Sequence, residues 1–232
     1  MKQLSTLTKI TGAIVLATST IAASGTATAK PLQPSTAKYS FTVENKYKGT
    51  ATRTLSKSGN SWSYRTKARV AGVASANQTS KFTISGSKIK PSFASTTYKI
   101  FGAGRTHKLK FNGNKVVSTY KGKSKTLSMP RQAYDDLSLE AQIRQDLLNG
   151  KFTGNYYMAK KNKVERVRFK KSGNSKVTVP AGTYNTIRID RVHKGNGRRT
   201  TFWLAPSLNY QPVKVIQNAD GKKMELKLTS YK

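Results

Sequence analysis

The stretch SWSYRTKARV, residues 61–70, indicates the fold class of this chain. Aromatic and small apolar side chains occupy every second position, and Arg65, Lys67 and Arg69 lie between them. A period of two places successive side chains on opposite faces of an extended strand. The stretch therefore predicts a β-strand with one buried apolar face and one basic face in solvent.

Similar alternating segments occur before and after this strand. They are found at 41–44, 81–85, 89–98, 107–112 and 116–120, and again at 155–159, 164–169, 176–179, 184–192, 200–204, 212–217 and 223–231. Several links between them contain Gly and Asn, which tolerate the positive φ of tight hairpin turns. We expect a mainly β fold with one long curved antiparallel sheet of about a dozen strands, shaped as a half-barrel, barrel or sandwich.

One segment breaks the alternation. The residues YDDLSLEAQIRQDLLNG, at 134–150, place apolar side chains at helical spacing. Asp135 or Asp136 can cap the start of a helix, and Asn149-Gly150 supplies a stop. The sequence predicts one central α-helix near 135–149, which plugs or covers the concave side of the sheet.

The N-terminal residues are typical of a secretory signal peptide. Residues 1–29 contain a basic lead, an apolar run over 10–17 and an Ala-x-Ala end. The run is shorter than the roughly 20 apolar residues of a spanning helix, which argues against a membrane anchor. We expect cleavage after the signal peptide, a flexible leader over 30–38, a single antiparallel β domain over 39–232, and export to the periplasm or the extracellular space.

The composition excludes several kinds of site. The chain has 43 Lys and Arg, 9 Asp and Glu, two His and no Cys, which gives a formal charge of +34. Disulfides, thiol nucleophiles and Cys-based metal sites are therefore absent, and no nucleotide-binding or metal-binding motif occurs. We expect no catalytic residue, no metal ion and no cofactor.

An enzyme remains an alternative from a different class. An envelope enzyme acting on a cell-wall or glycan substrate would need one of the rare acids or histidines to meet polar groups in a cleft. The candidate set is Asp190, His193 and a Ser or Thr hydroxyl, while His107 is the second histidine. Their convergence in one pocket would favour this alternative.

Positive charge is the main functional signal in the sequence. Glu44 is the only acidic residue between residues 30 and 134, so a positive field covers much of the surface. We expect Arg65, Lys67 and Arg69 to form an anion-binding surface for lipopolysaccharide phosphates, acidic glycans or phospholipid head groups. The leading hypothesis is an exported, non-enzymatic scaffold or binder of anionic, amphiphilic envelope material. Generally basic envelope proteins would explain the charge equally well, and a structural partner of another envelope protein is a third alternative.

Nucleic acid is the usual partner of so basic a protein. Here, however, Trp62, Tyr64, Phe82 and Phe111 alternate with basic residues, so rings and charges face opposite sides of the strands. A stacking platform needs both on one face. Binding to extracellular nucleic acid is therefore disfavoured, and it would be blind to sequence and dependent on salt.

Two C-terminal phrases resemble a known family. The phrases are VPAGTYNTIRI at 179–189 and FWLAPSLNYQPVKV at 202–215. They resemble the exported bacterial family called domain of unknown function 3108, which has a P-A-G-x-[FY]-x-T turn, a W-L-A-P-x-L-x-x-x-P-V segment and a closing strand of alternating Leu. Gln211 stands where that family more often has an apolar residue. The resemblance covers about 40–231 and implies this topology and export, but no activity.

A second likeness concerns fold alone. The order of strands and turns is similar to that of the periplasmic lipoprotein-carrier half-barrels, in which a curved antiparallel sheet wraps helices and holds acyl chains. Likeness of fold does not transfer function.

Overall fold

The computed structural model describes residues 30–195 and 197–232, so the signal peptide predicted for 1–29 lies outside the described residues. The first half of the chain contains β1 (Ser35–Val43), β2 (Tyr47–Ser58), β3 (Ser61–Val70), β4 (Ala74–Ser85), β5 (Lys88–Ile100), β6 (Ala103–Asn112), β7 (Lys115–Tyr120) and β8 (Lys123–Ser128). The second half contains β9 (Ala133–Tyr134), α1 (Asp136–Leu148), β10 (Asn155–Ala159), β11 (Val164–Val179), β12 (Gly182–Val192), β13 (Arg198–Ala205), a 3₁₀ turn (Pro206–Leu208), β14 (Gln211–Ala219) and β15 (Lys222–Tyr231).

All fifteen strands belong to one curved sheet that does not close into a barrel. Its order is β8-β7-β6-β5-β4-β3-β2-β1-β15-β14-β13-β12-β11-β10-β9. Neighbouring strands are antiparallel except β9 and β10, which are parallel because α1 carries the chain back between them. The predicted mainly β half-barrel with one helix is confirmed. In the described residues the sheet has fifteen strands, where about a dozen were expected, and its single parallel pair is β9 with β10.

The faces of β3 follow the alternation in the sequence. Trp62 and Tyr64 are buried on the concave side, while Arg65, Lys67 and Arg69 are exposed on the convex side. The cross-strand partners continue this separation, since Tyr64 lies between the concave residues Leu55 and Ser80. Trp62 stacks with Phe82 at a ring-centroid distance of 6.5 Å. The aromatic residues thus belong to the core of the half-barrel.

The helix begins with a reciprocal cap. The Asp135 carboxylate accepts the backbone N–H groups of Leu137 at 3.0 Å and Ser138 at 3.3 Å. In return the Asp135 N–H donates to the Ser138 hydroxyl at 3.0 Å. This capping box satisfies the free donors of the first turn. Of the two residues predicted as candidates, Asp135 is the cap.

Polar side chains attach α1 to the concave face of the sheet. The Glu140 carboxylate accepts hydrogen bonds from the Arg53 guanidinium and from the Tyr64 hydroxyl, both at 2.6 Å. Two residues further along, the Gln142 side chain accepts the Ile89 N–H at 2.7 Å. A buried charge is costly unless it is paired and hydrogen-bonded. These contacts therefore define the depth at which α1 sits in the half-barrel.

The N-terminal segment differs from the expected flexible leader over 30–38. Residues 35–38 belong to β1 and pair with β2 on one side and β15 on the other. Leu32 is only 1 % exposed, and its N–H donates to the side-chain oxygen of Gln145 at 3.0 Å. A buried side-chain amide needs hydrogen-bond partners, and the segment before β1 supplies them to Gln145 of α1. The sheet consequently begins at Ser35 rather than at Tyr39.

The interior of the half-barrel is filled unevenly. Around α1, apolar side chains of the helix and of both halves of the sheet form one continuous cluster. Elsewhere the tip of the β11–β12 hairpin folds over β15, where the Ala181 N–H donates to the Leu228 carbonyl at 3.0 Å and Val179 packs beside Val213. The C-terminal end of β5 and the N-terminal end of β6 are less covered, and Ile100 at the end of β5 is 59 % exposed.

The Glu140 attachment predicts a specific loss of stability. Replacing Glu140 by Ala leaves the largely buried Arg53 without its counter-charge, so we expect the free energy of unfolding to fall by about 3 kcal/mol. Urea denaturation followed by circular dichroism measures this change. The matched control is Glu165→Ala, which removes a carboxylate paired with the more exposed Lys160 and Lys163 and should cost less than about 1 kcal/mol. Equal losses in the two variants would contradict the anchoring role of Glu140.

Candidate functional site

The predicted anion-binding residues form an exposed line on β3. Arg65, Lys67 and Arg69 are separated by about 7 Å along the convex face, as expected for alternate positions in a strand. Cross-strand neighbours of this line carry hydroxyl or amide groups, for example Thr54 and Thr79 beside Arg65. No ion pair among the described residues involves these three cations. The line can therefore offer its charge to an external anion.

A cleft lies at the N-terminal end of α1. It has a volume of about 290 Å³ and separates α1 from β5, β6 and the β10–β11 connection. Ala94, Leu109 and Leu137 give it apolar walls, while Thr96, His107 and Lys161 give it polar groups. We call it the His107 cleft.

The hydrogen bonds of His107 define its protonation. The Ser118 hydroxyl donates to the Lys161 carbonyl at 2.6 Å, so it must accept from the His107 ring, whose Nε2 lies 2.9 Å away. Burial lowers the pKa of His107, and the positive charge of Lys161 lowers it further. The ring is therefore neutral with its proton on Nε2. Ser118 consequently has no base to activate it as a nucleophile.

The acids of the His107 cleft have other roles. Asp135 is buried, and its carboxylate accepts hydrogen bonds from the Ser80 hydroxyl at 2.7 Å and from the N-terminal turn of α1. Burial raises the pKa of Asp135, and the hydrogen bonds from Ser138 and Ser80 oppose that effect. Asp136 is exposed and lies near Tyr98. Partial burial of the Tyr98 hydroxyl raises its pKa, and the negative charge of Asp136 raises that pKa further. The adjacent acids thus cap a helix and do not form a catalytic pair.

The His107 cleft borders an exposed apolar lip. Tyr98 and Ile100 follow Ala94 and Thr96 at alternate positions of β5, so all four share the concave face. Tyr98 is 54 % exposed, Ile100 59 % and Phe101, in the turn that follows, 78 %. Exposed large apolar side chains in a cluster mark binding surfaces. We call Tyr98, Ile100 and Phe101 the apolar lip.

A second cleft lies near the C-terminal half of α1. Its volume is about 400 Å³, and the exposed cations Lys88, Arg131, Lys151 and Arg166 surround it. Asp146 is its only acidic lining residue, and its carboxylate accepts hydrogen bonds from the Tyr156 hydroxyl at 2.9 Å and the Gln142 amide at 2.8 Å. Burial raises the pKa of Asp146. The Asp146 cleft is therefore polar, basic at its edge and equipped with a single carboxyl group.

The residues of the enzyme alternative are not brought together. Asp190 accepts a hydrogen bond from the Thr201 hydroxyl at 2.6 Å, whereas His193 bonds to the Thr200 hydroxyl at 3.0 Å. Thr200 and Thr201 are successive residues of β13 and point to opposite faces. Arg188 also pairs with Asp190 at 2.9 Å. Within the described part of the chain, no group of three or more acids and histidines could hold a metal ion.

Sequence reasoning missed both clefts and the apolar lip. The signal for the lip is present in KIFGAG at 99–104, where Ile100 and Phe101 occupy a turn that polar residues usually form. The clefts depend on α1 meeting distant strands, which no local pattern records. Of the helices in the described ranges, none is long and apolar enough to cross a membrane.

Comparison with known proteins gives a family and a fold. The profile of the family described as "Protein of unknown function (DUF3108)" matches residues 18–227. A search of curated proteins finds no match. Among solved structures, a β-barrel-like protein of domain of unknown function DUF1849 from Brucella abortus is similar with a TM-score of 0.55 and 12 % identity, over 87 % of this chain and 98 % of that chain. The lipoprotein LppX from Mycobacterium tuberculosis is similar only at a TM-score of 0.28 and 10 % identity, over 84 % of this chain and 85 % of that chain.

The line on β3 predicts a loss of anion binding without a loss of stability. Replacing Arg65, Lys67 and Arg69 by Ser should lower the salt concentration that elutes the protein from phosphocellulose, because exposed charges bind polyanions directly. The melting temperature should stay nearly unchanged, since exposed charge changes cost little. The control replaces Lys115, Lys123 and Lys125, which are equally exposed, by Ser. An identical shift in elution would show that net charge alone governs retention.

Proposed function

This chain belongs to the DUF3108 family of proteins of unknown function, and we propose that it is an exported, non-enzymatic binder of anionic, amphiphilic envelope material. The amphiphile occupies the His107 cleft, and the periplasm is the compartment that we propose for it. One observation carries this proposal: a cleft with apolar walls and a polar end lies beside an exposed apolar lip on the same concave surface. A ligand with a polar head and an apolar chain matches that division.

The apolar part of the ligand would follow β5. Ala94 and Leu109 are small or medium-sized side chains on the cleft wall, and Tyr98 and Ile100 continue the same surface toward solvent. Burying apolar surface contributes about 25 cal/mol per Å². An acyl chain lying along this surface would bury both itself and the exposed lip.

The polar head would lie near Lys161 and His107. Lys161 is exposed at the cleft, and its ammonium lies 3.7 Å from the centre of the Tyr120 ring. The neutral His107 adds a polar ring without a charge. Asp136 is the exposed acid at this end, but the charge of +34 on the whole chain makes the surrounding field positive. A phosphate, sulfate or carboxylate head fits this field.

The convex line on β3 has a separate role in the proposal. Arg65, Lys67 and Arg69 hold the protein near lipopolysaccharide phosphates, acidic glycans or phospholipid head groups through exposed charge. Such binding is long-ranged and weakened by salt. The line therefore concentrates the protein at its target, while the cleft selects the ligand.

The geometry gives little support to the rival functions. Hydrolysis of a glycan by the usual mechanisms uses two carboxyl groups, and the Asp146 cleft contains one. The His107 cleft has two, Asp135 and Asp136, but the Asp135 carboxylate is engaged by the helix N-terminus and by Ser80. In the His107 cleft, Ser118 donates to a carbonyl rather than to a base. The rings that alternate with cations in β3 and β4, namely Trp62, Tyr64 and Phe82, are buried and so cannot stack on the bases of a single-stranded nucleic acid.

A blocked cleft tests the proposal. Thr96 lines the His107 cleft, so Thr96→Phe should fill it and weaken binding of laurate, measured by isothermal titration below micelle formation, at least tenfold. The matched control is Thr97→Phe, because Thr97 lies on the convex face of the same strand and should leave laurate affinity unchanged. A cationic amphiphile with the same chain length, dodecyltrimethylammonium, should bind more weakly than laurate.

Two results would contradict the proposal. The first is equal laurate affinity in the two Phe variants, which would place any binding outside the cleft. The second is the absence of laurate binding to the folded wild-type protein. Circular dichroism of each variant establishes that it is folded before the titrations are compared.

A further inference from the structure

The exposed large apolar side chains all lie at one end of the half-barrel. Among the described residues they are Tyr47, Tyr98, Ile100, Phe101 and Val192. Each lies in, or next to, the β1–β2, β5–β6 or β12–β13 connection. Hairpin connections alternate between the two ends of an antiparallel sheet, so these three connections are at the same end. We call the end formed by the β1–β2, β3–β4, β5–β6, β7–β8, β12–β13 and β14–β15 connections the open rim.

Backbone hydrogen bonds join neighbouring connections of the open rim. The Phe101 N–H donates to the Val73 carbonyl at 2.9 Å, which ties the β5–β6 turn to the β3–β4 turn. The Glu44 N–H donates to the Lys223 carbonyl at 2.7 Å, which ties the β1–β2 turn to the start of β15. The connections therefore form a supported edge. At the opposite end, the β2–β3, β4–β5 and β6–β7 turns are Ser-, Gly- and Asn-rich and carry none of the five side chains.

Phe101 is the extreme case of this exposure. It is 78 % exposed, at the tip of a hairpin whose last cross-strand pair is Ile100 with Ala103. Its φ of 46° lies in the left-handed region, which a bulky side chain occupies at an energetic cost and which Gly or Asn would fill more easily. An aromatic ring at this position therefore does not serve the turn. It projects an apolar group away from the sheet.

Cations flank the apolar side chains of the rim. Lys99 and Arg105 border Ile100 and Phe101 on the same hairpin, and Lys46 precedes Tyr47. Other rim connections add exposed basic residues, for example Lys121, Lys194 and Lys222. The acids in the rim connections are Glu44 and Asp220, and Arg198 lies 3.7 Å from the carboxylate of Asp220. Asp136, at the start of α1, is a further exposed acid near Tyr98. The rim thus combines apolar tips with a strongly positive surround.

We propose that the open rim docks on the surface of a bilayer that contains anionic lipids, with Phe101 and Ile100 inserted among the head groups. Aromatic side chains are favoured at the boundary between head groups and acyl chains. Each Lys or Arg near an anionic surface contributes additional attraction. A protein partner fits less well, because the cores of protein interfaces are depleted in Lys. Charge complementarity therefore favours the lipid surface over a protein.

Docking by the rim extends the proposed function, because its biological purpose depends on amphiphile binding in the cleft. The His107 cleft lies at the N-terminal end of α1, and Tyr98 of the apolar lip is also part of the rim. A protein docked in this orientation faces the bilayer with the side on which an amphiphile would enter or leave. Docking and amphiphile binding can be measured separately, because docking does not require an occupied cleft.

Vesicle binding tests the rim. Wild-type protein should float with vesicles of phosphatidylglycerol and phosphatidylethanolamine and should bind phosphatidylcholine vesicles far more weakly. Phe101→Asn keeps a residue suited to positive φ, so the turn should fold, yet it removes the ring and should reduce partitioning about tenfold. Lys99→Ser with Arg105→Ser should also reduce partitioning. Arg65→Ser with Lys67→Ser removes the same charge from the convex face and should reduce it less.

Insertion has its own readout. Phe101→Trp places an indole at the tip, whose emission should shift to shorter wavelength on vesicle binding and be quenched by lipids with brominated acyl chains. Wild-type protein, with buried Trp62 and partly buried Trp203, supplies the background signal. Unchanged partitioning of Phe101→Asn, or an unquenched indole in bound Phe101→Trp, would overturn the docking proposal. Loss of laurate binding with intact vesicle binding would instead remove the cleft function and leave docking in place.

Discussion

The Glu140 carboxylate, which receives hydrogen bonds from Arg53 and Tyr64, is the contact on which the arrangement of this protein depends. It joins the only α-helix of the described residues to two strands of the first half of the sheet. The pair is largely but not fully shielded from water, and loss of either partner would leave the other with an uncompensated charge. Arg53 also lies over the ring of Tyr39, 5.4 Å from its centre, so the contact reaches β1. The helix therefore has one depth and one orientation.

That single depth explains why the half-barrel is filled at one place and open at another. The C-terminal half of α1 is covered by the segment before β1, through Gln145 and Leu32. The N-terminal half of α1 begins at its cap, Asp135, whose carboxylate borders the His107 cleft and is engaged by the capping box. The sheet continues past this point to the apolar lip. The surface proposed to bind an amphiphile thus arises from a helix that is shorter than the strands around it.

Much of the architecture could be predicted from local patterns. The alternation at 61–70 correctly separates buried Trp62 and Tyr64 from exposed Arg65, and the pattern at 134–150 correctly places the helix. Long-range contacts could not be predicted. Arg53 resembles any other surface cation in the sequence, and its partner lies 87 residues away. Gln211, where an apolar residue is more usual in the family, is buried and donates to the Tyr39 hydroxyl, 172 residues away, at 2.6 Å. The clefts are formed by such long-range contacts, so local sequence patterns do not predict them either.

The mass of the native protein tests the central claim, that the incompletely filled half-barrel carries an amphiphile. The chain would be expressed with its N-terminal segment, purified from the periplasmic fraction, and weighed by native and by denaturing mass spectrometry. The account predicts a native mass above that of the processed polypeptide, with an excess that disappears on denaturation and corresponds to an anionic amphiphile. A native mass equal to that of the polypeptide, unchanged after incubation with laurate, would contradict it.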